Sequence, residues 1–152
     1  MENFMSLKIY SKPGNETFVR SVVAAFAAQL NPTMDQINDI KTAVSEAVTN
    51  CIIHAYAGEK PMADCPITVD VLLDGGTVHI TVVDEGVGIA DVEAARQPFF
   101  TTKEGEERTG MGFTIMDAFM DKLDILSGAG QAGTVVRMSK IINAQCSMHN
   151  AQ

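Results

Sequence analysis

The 152-residue chain is 46% hydrophobic and carries 11 basic against 19 acidic residues, a net charge of -8 with a pI near 4.7. That apolar content suits one domain around one core, and the acidic balance excludes a nucleic-acid binder, which needs a cationic face against phosphate. The three cysteines, Cys51, Cys65 and Cys146, have no metal-ligand spacing, and neither a leader pattern nor a run near ~18 apolar residues occurs, so a cytoplasmic protein with no membrane contact is expected.

Met5, Leu7 and Ile9 alternate with Ser6, Lys8 and Tyr10, the period of a strand with one buried face. Pro13-Gly14-Asn15 breaks it, with Asn15 as candidate helix cap, and Phe18, Val19, Val22, Val23, Phe26 and Leu30 recur at helical spacing until Asn31-Pro32. Thr33-Met34-Asp35-Gln36 is a capping-box sequence. It opens a second helix reaching about Tyr56, with Ile37, Ile40, Val44, Ala47, Val48, Cys51, Ile52 and Ala55 as its apolar stripe. After a polar loop, Ile67, Val69, Val71 and Leu73, then Val78, Ile80 and Val82, alternate on either side of Asp74-Gly75-Gly76, a hairpin pattern. Asp84 ends the second of these strands.

A short helix around 91–95 leads into residues 97–108, rich in Gly, Thr and charge, a length of loop that in compact domains is usually a lid. A helix over 111–120 and strands near 123–127 and 134–139 follow. Residues 1–140 form the single expected domain and 141–152 a polar tail. Helices bunched before and between strand pairs point to an α/β (α+β) two-layer sandwich, a mixed sheet covered by helices on one face. Strict β-α-β alternation is lacking, against a doubly wound sheet.

Glu46 and Asn50 lie one helical turn apart, away from the apolar stripe. A carboxylate can accept a proton from an attacking hydroxyl, and an amide oxygen is a hard neutral ligand for Mg²⁺. The pair alone is also what any amphipathic helix shows to solvent. His54 continues that face, and a lone histidine is more often packed or hydrogen-bonded than a metal ligand.

Asp84-Glu85-Gly86-Val87-Gly88 follows an apolar strand. Its aspartate can accept a hydrogen bond from an adenine amino group while Gly86 and Gly88 let the backbone turn beside the base. Gly110-Met111-Gly112 opens a helix whose N–H groups can cradle an anion. No Gly-Lys-Ser/Thr occurs, so an ATP site here is not a P-loop.

Taken together, the motifs resemble a known family. Glu46-x-x-x-Asn50 is similar to the N-box of the GHKL superfamily, whose members share the Bergerat ATP-binding fold. Asp84-x-Gly86-x-Gly88 resembles its first glycine box, and Pro98-Phe99-Phe100-Thr101-Thr102-Lys103 the lid segment that precedes the second. Thr109-Gly110-Met111-Gly112-Phe113 matches that second box. Val44-Ser45-Glu46-Ala47-Val48-Thr49-Asn50 and Ala94-Ala95-Arg96-Gln97-Pro98 narrow the likeness to the bacterial anti-sigma factor serine kinases, nearest to their sporulation branch. The resemblance runs over residues 5–138.

It implies a mostly antiparallel sheet, ATP/ADP as nucleotide and Mg²⁺ as cofactor. Glu46 would be the catalytic base, Asn50 the Mg²⁺ ligand and Asp84 the adenine reader. Gly86 and Gly88 would shape the base pocket, and Gly110, Met111, Gly112 and Phe113 would line the phosphates. Thr101 and Thr102 belong to the lid contacts. Lys103 and Arg108 read equally well as phosphate contacts or as solvated charge, and Thr134 as adenine support or as an ordinary strand residue. The implied partners are a sigma factor (sporulation sigma factor F by the nearest wording), an anti-anti-sigma factor phosphorylated on serine, and a second copy in a homodimer. Arg20, a single cation on an otherwise apolar or small-residue helix, is the candidate docking residue or a routine surface arginine.

The alternatives are a stress-response kinase of the same group, or a non-enzymatic module whose nucleotide only shapes a sigma-binding surface. A detached sensor histidine kinase domain would carry Asn in place of Glu46, and a gyrase- or MutL-type ATPase would need a transducer domain.

Overall fold

The computed structural model describes residues 2–56, 61–98, 111–128 and 131–143. The elements are β1 (Asn3–Tyr10), α1 (Pro13–Ala27), α2 (Met34–Asn50), β2 (Pro66–Asp74), β3 (Thr77–Asp84), α3 (Val92–Ala95), α4 (Gly112–Phe119), β4 (Lys122–Gly128) and β5 (Gln131–Ile141). A π-helical turn, Cys51–Ala55, extends α2.

The strands form one sheet in the order β1-β2-β3-β5-β4, and each neighbouring pair is antiparallel. The expected two-layer sandwich is present, but its described pairings are not mixed. The reason lies in the connections. Two helices, α1 and α2, separate β1 from β2, so the chain goes out and back and returns antiparallel. β3 and β4 do run the same way, yet β5 lies between them.

Strand alternation separates the faces. Ile67, Val69, Val71 and Leu73 of β2 and Val78, Ile80 and Val82 of β3 are fully buried in one core with Val19 and Val23 of α1, Ile40, Val44 and Val48 of α2 and Met116 of α4. Residues of the opposite rows, such as Thr68, Asp70, His79 and Thr81, are half-buried or exposed. The helices therefore cover one face. Gly75 and Gly76 turn the β2–β3 hairpin with positive φ at both positions, the geometry of a type I′ turn.

The helix starts differ in how they are set. At α2 the capping box forms as its sequence predicts: Gln36 N–H donates to Thr33 Oγ1 at 3.1 Å and Thr33 N–H to Gln36 Oε1 at 2.9 Å. At α1 the cap is Lys12, not Asn15, because Pro13 occupies the first turn, where its fixed φ is already helical and its missing N–H costs nothing. Asn15 instead donates its side-chain amide to the Tyr10 carbonyl at 2.8 Å. Past α1, Asn31 stops the chain in the left-handed conformation, φ 54°. No helix among the described residues is long and apolar enough to cross a membrane.

Candidate functional site

The apolar stripe of α2 fixes its rotation, and Glu46 and Asn50 then stand half-buried beside the start of α4. Gly112 is the point of contact. A Cβ placed there would lie 3.1 Å from Asn50 Nδ2, 3.2 Å from Asn50 Oδ1 and 3.3 Å from Glu46 Oε2. A glycine there lets the N-terminus of α4, whose first N–H groups lack helical partners, come this close without either side chain giving way. Met111 is the residue that precedes α4, and the Phe113 side chain packs against the core. Thr101, Thr102, Lys103, Arg108 and Gly110 lie outside the described residues.

The second half of the site is built at the end of β3. Asp84 is 6% exposed and Thr134 7%; they are the buried polar residues among those described. Asp84 Oδ1 accepts the Gly86 N–H at 2.9 Å and its Oδ2 accepts the Cys51 thiol at 3.5 Å. Burial pushes this carboxyl above its ordinary value, against the pull of the bonds from Gly86, Cys51 and Thr134. Burial likewise pushes the Cys51 thiol up, and the Asp84 charge adds to it, so Cys51 stays a proton donor.

Close backbone approaches hold the loop after Asp84 from two sides. A Cβ on Gly86 would fall 2.1 Å from the Ala55 carbonyl oxygen, which also accepts the Val87 N–H at 2.9 Å. On the other side Gly133, with φ 84°, donates its N–H to the Gly86 carbonyl at 2.8 Å. Gly88 has φ 76°, a conformation that favours glycine. Thr134 Oγ1 lies 3.1 Å from Ser127 Oγ, which accepts the Ile89 N–H at 2.7 Å and lies 3.0 Å from the Gly133 carbonyl oxygen. The hydroxyl of Thr134 is thus tied to the glycine loop through Ser127.

Sequence reasoning brought forward Glu46, Asn50, Asp84, Gly86, Gly88, Gly112 and Thr134, and the fold gathers them at the ends of α2, β3 and β5 and the start of α4. It missed Cys51, Tyr56, Ser127 and Gly133. Cys51 read as one more apolar stripe residue; it is buried in the core, and its thiol also reaches Asp84 at 3.5 Å. Gly133 carried a signal, a glycine directly before a strand threonine, that went unused.

Arg20 stands elsewhere. Its guanidinium lies 3.5 Å from Glu16 Oε1 and 3.4 Å from Ser45 Oγ, and the Ser45 hydroxyl also donates to Glu16. These contacts tie α1 to α2 one residue before Glu46.

No group of three or more His, Cys, Asp or Glu side chains among the described residues could hold a metal ion. Magnesium asks for little: it keeps waters and phosphate oxygens and takes one or two protein oxygens. An amide oxygen beside a carboxylate, next to a helix N-terminus, fits that sparse donor set.

The profile of the histidine kinase-like ATPase domain matches residues 9–140. An anti-sigma F factor of Thermoanaerobacter sp. (strain X514) is 55% identical over 142 residues, covering 93% of this chain and 96% of that protein. Another, from Caldanaerobacter subterraneus subsp. tengcongensis, is 57% identical over 140 residues, covering 92% and 94%. The chain belongs to the histidine kinase-like ATPase family and, within it, to the anti-sigma F factors. It is an anti-sigma factor built on a kinase-type ATPase domain, and nucleotide binding follows from that membership.

Solved structures agree on the fold. The RsbU and RsbW domains of Rv1364c from Mycobacterium tuberculosis superpose with a TM-score of 0.62 at 21% identity, covering 91% of this chain and 31% of that one. The catalytic domain of histidine kinase ThkA gives a TM-score of 0.55 at 18% identity, covering 95% and 99%.

Proposed function

We propose that the chain is an ATP-dependent serine-protein kinase of the cytoplasm that binds and restrains sigma factor F and phosphorylates a serine of its anti-anti-sigma factor. The observation that carries this reading is the meeting of Glu46, Asn50 and Gly112, which sets a carboxylate and a hard amide oxygen at the start of one helix.

In this reading Asp84 accepts the adenine amino group, with Gly86 and Gly88 shaping the pocket and Thr134 bracing its floor through Ser127. The N–H groups of Met111, Gly112 and Phe113 face the phosphates, joined by Thr101, Thr102, Lys103, Arg108 and Gly110 from the lid. Asn50 would hold a magnesium ion, which when bound neutralises charge on the β- and γ-phosphates. Glu46 takes the proton from the incoming serine hydroxyl as its oxygen attacks the γ-phosphorus and ADP leaves. Positioning and charge supply most of the acceleration in such transfers, and a general base contributes about 10²–10⁴-fold.

Arg20 serves the partner rather than the nucleotide, its side chain remaining 36% exposed on α1 beside Glu16 and Ser45. A homodimer is the proposed assembly, and the sporulation sigma factor is favoured over a stress-response one by the identity to anti-sigma F factors.

The test is transfer of label from γ-labelled ATP to sporulation and stress-response anti-anti-sigma proteins, with Glu46→Gln as control. Transfer to serine of the sporulation protein, reduced at least about a hundredfold in Glu46→Gln with ATP affinity kept, is expected. Undiminished transfer by that variant removes Glu46 from its role, and no transfer by the parent leaves a nucleotide-gated binder.

A further inference from the structure

The π turn at the end of α2 meets four successive residues of the glycine loop. The Cys51 thiol donates to Asp84, the Tyr56 hydroxyl accepts the Glu85 N–H at 2.7 Å, Ala55 abuts Gly86, and the Ala55 carbonyl accepts the Val87 N–H. The π turn and its C-cap Tyr56 thus reach all four within six residues, Cys51 to Tyr56. Three of these contacts use the backbone or a thiol. The Tyr56 hydroxyl is the one side-chain oxygen that this segment contributes, and it bridges two backbones, donating to the Pro66 carbonyl while it accepts from Glu85.

We infer that Tyr56 is a positioning residue for adenine selection: its hydroxyl, fixed by Pro66 at the start of β2, holds the Glu85 N–H and so sets the angle at which Asp84 meets the base. The inference rests on the reading of Asp84 as the adenine acceptor. The geometry argues for it in three steps. Asp84 and Glu85 are consecutive, so a peptide plane fixed at the Glu85 N–H fixes the Asp84 carbonyl side of the same plane. A Cβ built on Gly133 would lie 2.1 Å from that carbonyl oxygen, so the Gly133 backbone backs the plane on one side while the Tyr56 bond holds the other. The Tyr56 ring packs against the core, so the hydroxyl itself is held at a defined point. Removing only the oxygen frees the peptide plane while the core keeps its filling.

Tyr56 acts at the base end and Glu46 at the phosphate end, so the two should separate in kinetics. In Tyr56→Phe the KM for ATP should rise about tenfold, the loss of one hydrogen bond's worth of alignment, with kcat for transfer nearly unchanged. The preference for ATP over purine riboside triphosphate, which lacks the 6-amino group, should shrink by a similar factor.

The experiment measures affinity and transfer kinetics with both nucleotides for the parent chain, Tyr56→Phe and Asp84→Asn. Loss of the preference in both variants, with kcat kept in Tyr56→Phe, upholds the inference. Loss in Asp84→Asn alone, with Tyr56→Phe keeping the parent's preference, overturns it and leaves the Asp84 reading standing, even where Tyr56→Phe melts earlier. A full preference in Asp84→Asn overturns both. Should Tyr56→Phe not fold, exchange of the Glu85 amide hydrogen in the parent chain decides. Protection that rises with ATP and not with purine riboside triphosphate upholds the inference, and equal protection by the two overturns it.

Discussion

Asp84 and Thr134 face each other across the β3–β5 pair, and the charge of the one is held among the bonds of a loop that the other braces. The Asp84 carboxyl is raised above its ordinary value, first by burial. A carboxyl whose folded pKa lies above its unfolded one costs stability when ionised, and that cost is relieved as pH falls through the folded value toward the unfolded one. The free protein should therefore gain stability from this group on acidification. Its preference for ATP over purine riboside triphosphate should fall over the same range, because a protonated carboxyl is a poorer acceptor. Thermal melts and competition binding against pH, with Asp84→Asn flattening both curves, check the pair of opposite trends.

Two glycines that look alike in sequence should respond differently to alanine. At Gly133 the new Cβ meets backbone, the Asp84 carbonyl oxygen at 2.1 Å, and φ is 84°, so Gly133→Ala should cost about 2–3 kcal/mol in a denaturant melt. At Gly112 it meets the ends of Asn50 and Glu46 at 3.1–3.3 Å, which can give. Gly112→Ala should change stability by less than about 1 kcal/mol yet lower phosphate transfer by about tenfold or more, since the groups that move are the proposed base and magnesium ligand.

Tyr56 titrates at about 12, pushed up first by burial and also by the negative charges of Asp84, Cys51 and Glu85, with the Glu85 N–H pulling the other way. The stability tied to its protonated hydroxyl is whole below its ordinary value of 10 and is lost as pH rises toward about 12. Alkaline melts of the parent chain should show a step in that window that Tyr56→Phe lacks. A step of equal size in both would separate it from Tyr56.

Arg20→Glu sets a second carboxylate one helical turn from Glu16, a repulsion of about 0.5 kcal/mol that leaves the fold intact. Affinity for the sigma factor should drop about tenfold or more while nucleotide affinity holds. A titration showing equal sigma-factor affinity would remove Arg20 from the docking surface.

Much of this was legible in the chain because it depends on period and spacing. The alternation in β2 and β3, the Thr33/Gln36 box and the one-turn step from Glu46 to Asn50 are local facts, and local facts survive folding. What stayed hidden depends on where distant segments meet. Pro13, read as a breaker of the first strand, is instead the first residue of α1, which moves the cap to Lys12. Nothing in Cys51-Ile52-Ile53-His54-Ala55 announces a π turn, since its residues fit an α-helical stripe equally well. That turn leads the chain from Cys51 to Tyr56, whose hydroxyl meets the loop after Asp84.

The strand order has a consequence for how the molecule holds together. β2–β3 and β4–β5 are hairpins, whose short loops close at small entropic cost, whereas β3–β5 joins chain segments far apart in sequence. Glu46, Asn50 and Asp84 belong to the part before that seam; Gly112 and Thr134 belong to the part after it. A nucleotide bound as proposed would be a removable staple over one of the sheet's two non-local joints, the other being β1–β2, so cooperativity of unfolding, and not only its midpoint, should sharpen when the site is filled.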